Sequence, residues 1–217
     1  AVYLRTSYGT KPSEGSDRTV RVINSSDQEA KISARIPIES SCGNSEYSLP
    51  VEIAENVSLE VLEGGTDAVK LGSSTYLIDT GKSAEYIKNG GFRTEAEGEV
   101  RIYGAYSSAA SAAAGKTVEM LHDYTGSDKI YSGSADGVLD LGGHTYTSQD
   151  PNEIVQINYD NVNLTIQNGT LKSSRPALKS GGITMLYNNG SLTLDKVTVA
   201  VPGASYGIVT NGTKKEN

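Results

Sequence analysis

The chain has no tryptophan, one phenylalanine, one cysteine and two histidines. Each scarcity excludes something. Cys42 is alone, so it can form no internal disulfide and has no thiol partner for a zinc site; it reads as a small buried or partly buried thiol. His122 and His144 are too few for a histidine-based zinc site. A Ser-His-Asp mechanism would also need a strained nucleophile turn of the Gly-x-Ser-x-Gly type, and Gly133-Ser-Ala-Asp-Gly137 carries its serine one place early. No apolar run approaches the roughly 18 residues that span a bilayer, so no membrane-spanning segment is expected. Basic residues are not clustered beyond Arg18/Arg21 and Lys214-Lys215, and the net charge is −7. That balance disfavours nucleic acid, whose phosphates need grouped Lys and Arg.

What is present is repetition. Leu139-Asp-Leu-Gly-Gly-His-Thr-Tyr146, Leu164-Thr-Ile-Gln-Asn-Gly-Thr-Leu171 and Leu192-Thr-Leu-Asp-Lys-Val-Thr-Val199 share apolar residues at the first, third and last places and Thr at the seventh. Their spacing is 25 and then 28 residues, a period that signals stacked coils sharing one core. Upstream, Val155-Gln-Ile-Asn-Tyr-Asp-Asn161 and Ile183-Thr-Met-Leu-Tyr-Asn-Asn189 are again 28 apart. Ile130-Tyr131 fits the same column as Val155-Gln156, and Gly207-Ile-Val209 reads as the start of a further coil. Alternating apolar and polar residues place successive side chains on opposite faces of a strand. The expected columns are Leu139, Leu164 and Leu192 in one and Leu141, Ile166 and Leu194 in another. Tyr159 and Tyr187 are expected as a stacked core pair. Asn161, Asn168, Asn188 and Asn189 suit turns, because Asn tolerates left-handed backbone.

Residues 1–105 are less regular but alternate too, at Thr19–Ile23, Ile32–Ile36, Val51–Ile53, Val57–Val61 and Glu99–Ile102. They read as an irregular β region, either further solenoid coils or a small β domain; 106–217 read as regular coils. Between them, Ser107-Ser-Ala-Ala-Ser-Ala-Ala-Ala114 predicts a short helix with a Ser cap and a stop at Gly115. Such a helix would cap an open solenoid end or connect two parts. The 24 glycines punctuate an all-β chain.

The run from Ala109 to Thr147, an Ala-rich segment leading into Gly115-Lys-Thr-Val-Glu-Met-Leu121 and then Val138-Leu-Asp-Leu-Gly-Gly-His-Thr-Tyr146, resembles the opening of right-handed parallel β-helix modules in bacterial surface proteins. The resemblance covers about half of the chain, 105–213, within a group that includes pectate-lyase-like enzymes, phage tailspikes and adhesins. It implies a right-handed parallel β-helix and an extracellular or cell-surface setting in bacteria. It does not choose an activity, because one fold hosts many.

The chemistry-bearing motifs are incomplete. Leu77-Ile-Asp-Thr-Gly81 resembles an aspartic-protease loop, but that reaction shares one proton between two carboxylates and no second Asp-Thr-Gly exists. Asp79 therefore reads as an exposed turn residue with its carboxylate at the Gly81 backbone. Gly115-Lys-Thr117 and Gly81-Lys-Ser83 lack the earlier glycine of a phosphate-binding loop. Asp128, Asp136 and Asp140 form the nearest acidic group, with no reason to converge, and Arg175-Pro176 stands without the rest of a lyase motif. His144 reads as a turn residue. Tyr131, opposite in phase to the apolar column, is the candidate ligand contact.

These readings favour a non-catalytic surface or secreted β-helix module for adhesion, glycan binding or spacing. No cofactor is implied, and a glycan or host surface protein is the expected partner. The alternative is a polysaccharide lyase or glycoside hydrolase on the same fold. Both chain ends, at Ala1-Val-Tyr-Leu4 and Ile208-Val-Thr-Asn-Gly212, are strand-like, as expected of part of a longer protein.

Overall fold

The computed structural model describes residues 2–6, 19–42, 48–72, 74–131, 135–158, 161–177, 182–185 and 190–210, with backbone alone at 2–6 and 42. The Cys42 side chain and Tyr159, Tyr187, Asn188 and Asn189 lie outside what is described. Among the described residues the protein is all-β: a right-handed-type solenoid of about six turns with a single short α-helix.

The first strands are β1 Val2–Thr6, β2 Val20–Val22, β3 Ala30–Ala34, β4 Ile38–Cys42, β5 Leu49–Ile53, β6 Val57–Val61, β7 Val69–Leu71, β8 Thr75–Ile78, β9 Phe92–Ala96 and β10 Glu99–Tyr103. Helix α1 spans Tyr106–Ala113. Then come β11 Thr117–Met120, β12 Tyr124–Gly126, β13 Ile130–Tyr131, β14 Gly137–Asp140, β15 Thr145–Ser148, β16 Val155–Ile157, β17 Asn163–Ser173, β18 Ile183–Met185, β19 Ser191–Ala200 and β20 Ile208–Thr210.

Coils stack by parallel pairing. One wall is β13-β16-β18-β20, with Ile130 on Val155, Val155 on Ile183 and Ile183 on Ile208, as the repeat predicts. The long strands β17 and β19 pair Leu164 with Leu192 and Ile166 with Leu194, again as predicted. The expected column through Leu139 and Leu164 is not formed. Leu139 pairs with Ile166, and Gly137 with Leu164. Leu141 lies beyond the end of β14, where its amide donates to Gln167 O. The cause is the Gly142-Gly143 turn. β14 pairs with β17 at an offset of 27 residues, as in Asp140↔Gln167, whereas β15 pairs with β17 at 25, as in Thr145↔Thr170. The two extra residues are absorbed where His144 N–H donates to Leu141 O at 2.8 Å.

Both central residues of that turn have left-handed backbone, Gly142 at φ 59° and Gly143 at φ 86°, as a type I′ turn requires. A Cβ on Gly142 would lie 2.9 Å from Met120 O. Gly142→Ala is therefore expected to cost about 1–3 kcal/mol, read as a lower thermal midpoint. An unchanged midpoint would mean that the corner is not built this way. The same corner in the next two coils is turned by Asn168 at φ 56° and Lys196 at φ 54°.

The parallel order is interrupted between β8 and β11. β9 and β10 form an antiparallel hairpin inside the large sheet, closed by Glu97 at φ 53° and Gly98 at φ 78°. β8 pairs with β10 and β11 with β9, both antiparallel. One continuous sheet thus runs from β2 and β5 through the hairpin to β14 and β17.

Among the described residues the core forms two clusters. One gathers Ile38, Val51, Ile53, Leu77 and Ile102. The other runs from Phe92 beneath α1 through Leu139, Ile166 and Ile183, with Leu192 and Leu194 packed against it. At its head Tyr124 and Tyr146 stack with ring centroids 4.5 Å apart, and Phe92 meets both at angles well away from parallel. Their hydroxyls are satisfied by Asp128: Tyr124 Oη donates to its carboxylate and Tyr146 Oη to its carbonyl. Burial pushes both phenols above their ordinary pKa, so they stay neutral donors.

Candidate functional site

Helix α1 falls where the Ala-Ser run predicts it. Its ends differ from expectation. The N-cap is Ala105, without a side-chain cap, and the left-handed stop is Ala114 at φ 48°, followed by Gly115 at φ 91°. Tyr106, Ala109 and Ala113 share one face and are buried against β9, β10 and β11. The adjoining face, with Ser107, Ala110, Ser111 and Ala114, borders a cleft of about 250 Å³.

The far side of this cleft is made by Tyr131, Ala135, Asp136, Gly137 and Val138. Buried Tyr106, Val118 and Leu164 reach it from the core. Tyr131, the candidate ligand contact, thus lines a cavity and is not an openly exposed ring; it is half-buried, and Asn158 Nδ2 donates to its hydroxyl.

Among the described residues that line the cleft, Lys116 and Asp136 alone carry formal charge. Lys116 Nζ lies 3.1 Å from Glu95 Oε1, so its charge is partnered. Asp136 has neutral partners: Asn163 N–H donates to Oδ1 at 2.7 Å, and Asn163 Nδ2 reaches both oxygens at 3.1 Å. The backbone bond first and the side-chain bonds second hold its carboxyl below the usual range, against a smaller effect of desolvation. Tyr106 is pushed up to about 12 by burial, so its hydroxyl stays protonated.

The remaining acidic candidates are separated by their partners. Asp128 serves the tyrosine stack. Asp140 accepts from Gly142 N–H at 2.9 Å, Gln167 Nε2 at 2.8 Å and Asn168 Nδ2 at 3.2 Å. Desolvation, the largest influence, would raise its pKa; the Gln167, Gly142 and Asn168 bonds together outweigh it and lower the value. Because the folded values of Asp136 and Asp140 lie below the unfolded ones, their contribution to stability is complete above about pH 4. It is lost as pH falls through the folded values. Thermal melts should show a smaller loss between about pH 4 and pH 2 in the Asp136→Asn/Asp140→Asn variant than in the parent. Parallel curves would contradict the bonding scheme.

Asp79 is a turn residue: Gly81 N–H donates to its Oδ1 at 2.9 Å. It is not exposed, however. Its side chain is 10% accessible, and its other oxygen lies 3.5 Å from Arg93 Nη1. Arg93 also binds Glu119 through Nε and Nη2, at 3.0 and 2.7 Å. Sequence reading passed over this Asp79-Arg93-Glu119 chain, because the β9–β10 hairpin that joins it had no clear turn signature. Glu119 and Asp140 face each other on β11 and β14. His144 closes the Gly142-Gly143 turn, with Nδ1 3.5 Å from Asp123 Oδ1; His122 Nε2 lies 3.0 Å from Ala84 O. Among the described residues no three His, Cys, Asp or Glu side chains are grouped to hold a metal ion, and no helix is long and apolar enough to cross a membrane. Arg175 binds Gln149 O through Nε at the edge of a shallow surface depression.

Comparison of the chain with protein-family models, curated proteins and solved structures finds no match.

Proposed function

We propose that this chain is a non-catalytic, surface-exposed or secreted β-helix module of the pectate-lyase-like type, from a bacterial protein, and that it binds glycan in the cleft that α1 forms with Tyr131, Asp136 and Val138. The observation that carries the reading is the cleft itself: an aromatic wall, an apolar floor and a polar rim, held between a helix and the stacked coils. Small-ligand sites combine these features. One such site binds weakly, and repetition of modules in a longer protein multiplies its strength.

A second reading, glycoside cleavage, draws on Glu119 and Asp140. They face each other on parallel neighbouring strands, which sets two carboxylates side by side, as a retaining pair requires. Their partners weigh against it. That reaction needs one carboxyl held protonated, whereas Arg93 binds Glu119 twice and three donors hold Asp140 ionised.

A glycan array tests the proposal. The parent protein should retain a defined subset of glycans, and Tyr131→Ala should lose at least about tenfold in affinity with its fold intact by circular dichroism. Retention unaffected by Tyr131→Ala, or no retention at all, would contradict it. Release of reducing or unsaturated ends from acidic polysaccharide, abolished by Glu119→Gln, would replace it with the enzymatic reading.

A further inference from the structure

We propose that the cleft takes one N-acetylated amino-sugar residue, its acetamido group pointing inward, and that it rejects uronic acids. This rests on the glycan-binding reading above and narrows the ligand class.

Size comes first. At about 250 Å³ the cleft is smaller than the roughly 300–1,000 Å³ of sites that enclose drug-sized ligands. It admits one ring, not a length of chain. The floor decides what enters first. Val118, Leu164 and Ala110 offer only carbon there. Tyr106, 4% exposed, is the exception. Its hydroxyl is a protonated donor that makes no hydrogen bond among the described residues, whereas Tyr124, Tyr146 and Tyr86 each have an acceptor. The hydroxyl reaches the cleft, so a ligand acceptor can take its hydrogen bond without displacing a protein partner. The ligand group that answers both features is a carbonyl oxygen beside a methyl, the acetyl of an acetamido group. The oxygen accepts from Tyr106 Oη, and the methyl packs on Val118 and Leu164.

The rim sets the charge preference. Asp136 stays ionised, held by neutral donors, while Lys116 is partnered by Glu95. A ligand carboxylate would meet the negative charge of Asp136, and like charges repel. Sugar hydroxyls can donate to Asp136.

Saturation-transfer NMR on the intact chain, with N-acetylglucosamine, glucose and glucuronic acid as separate probes, tests this. N-Acetylglucosamine should bind with its acetyl methyl most strongly saturated, glucose at least about fourfold more weakly, as the loss of one buried methyl implies, and glucuronic acid not detectably. Tyr106→Phe keeps the ring and removes the donor; it should weaken N-acetylglucosamine about fivefold, weaken glucose by less, and leave the thermal midpoint unchanged. Equal binding of glucose and N-acetylglucosamine, both lost in Tyr131→Ala, would overturn the acetamido assignment and leave the glycan site standing. Binding of glucuronic acid equal to that of glucose would overturn the charge preference. Absence of binding by every sugar, on the probes and on the array alike, would overturn both readings together.

Discussion

Replacing Ile166 with aspartate is expected to lower the thermal midpoint by about 10 °C or more. Ile166 is fully buried, with Leu139 on one side and Leu194 on the other. The substitution places a carboxylate between two coils that offer it only carbon. The cost of a buried, unpaired charge is about 4 kcal/mol or more, and each kcal/mol moves the midpoint of a chain this size by about 2–4 °C. Thr165→Asp, one position away on the outward face, is the control, expected to change stability by no more than about 0.5 kcal/mol. Equal losses in both variants would show that alternation does not separate inside from outside here.

Lys129→Met should be nearly as damaging for the opposite reason: it leaves a buried charge behind. Glu153 is 3% exposed, and its Oε1 accepts from Lys129 Nζ at 2.7 Å. Its Oε2 takes the Thr184 hydroxyl at 3.3 Å. Lys129, Glu153 and Thr184 come from three successive coils, so the pair ties the β13-β16-β18 wall together. Removing one partner of a buried pair costs about 3–5 kcal/mol, and the lower end applies because Lys129 is partly solvated. Glu153→Gln in the same background should restore most of the loss, since a neutral amide needs no counter-ion. A double variant as unstable as Lys129→Met would show that packing, not charge, is what the lysine supplies.

The regular half of the fold was legible because its signal is local and repeated. Leu164 over Leu192 and Val155 over Ile183 follow from a constant 28-residue offset and two-residue alternation. The helix followed from Ala propensity. The Leu139 column was misread because Thr145-Tyr146 does align with Thr170-Leu171, and that match hid two extra glycines just upstream. An insertion at a corner shifts everything before it and nothing after it.

Earlier in the chain the offsets vary too much to show a period. β2 pairs with β5 at 31 residues, β3 with β6 at 27 and β5 with β8 at 26. The register there is marked by facing ion pairs, Arg21 with Glu52 and Glu39 with Lys70. Such exposed pairs contribute little stability, and their meaning emerges only once the pairing is known. The β9–β10 hairpin was missed for another reason: Asn-Gly or Asp-Gly is the recognisable sequence for its turn, and Glu97-Gly98 is not. Of the site, Tyr131 was found by its phase. Tyr106 was not, because nothing in a helical Tyr-Ser-Ser announces an unpartnered hydroxyl. Asp136 had been seen only as one member of an acidic group.

The stacking of the coils brings Asp136 to Asn163 and α1 to Tyr131. Paired cysteines in a Cys42→Ser background measure it directly. Asp140→Cys with Gln167→Cys places two thiols on facing residues of β14 and β17, about 4.8 Å apart at the backbone and within reach of a disulfide. Asp140→Cys with Thr165→Cys, the pair that a uniform 25-residue repeat would bring together, lies about 8 Å apart across the diagonal, too far to bridge. Mild oxidation should close the first pair nearly completely and leave the second reduced. Closure of the second pair in preference to the first would contradict the register on which the cleft is built.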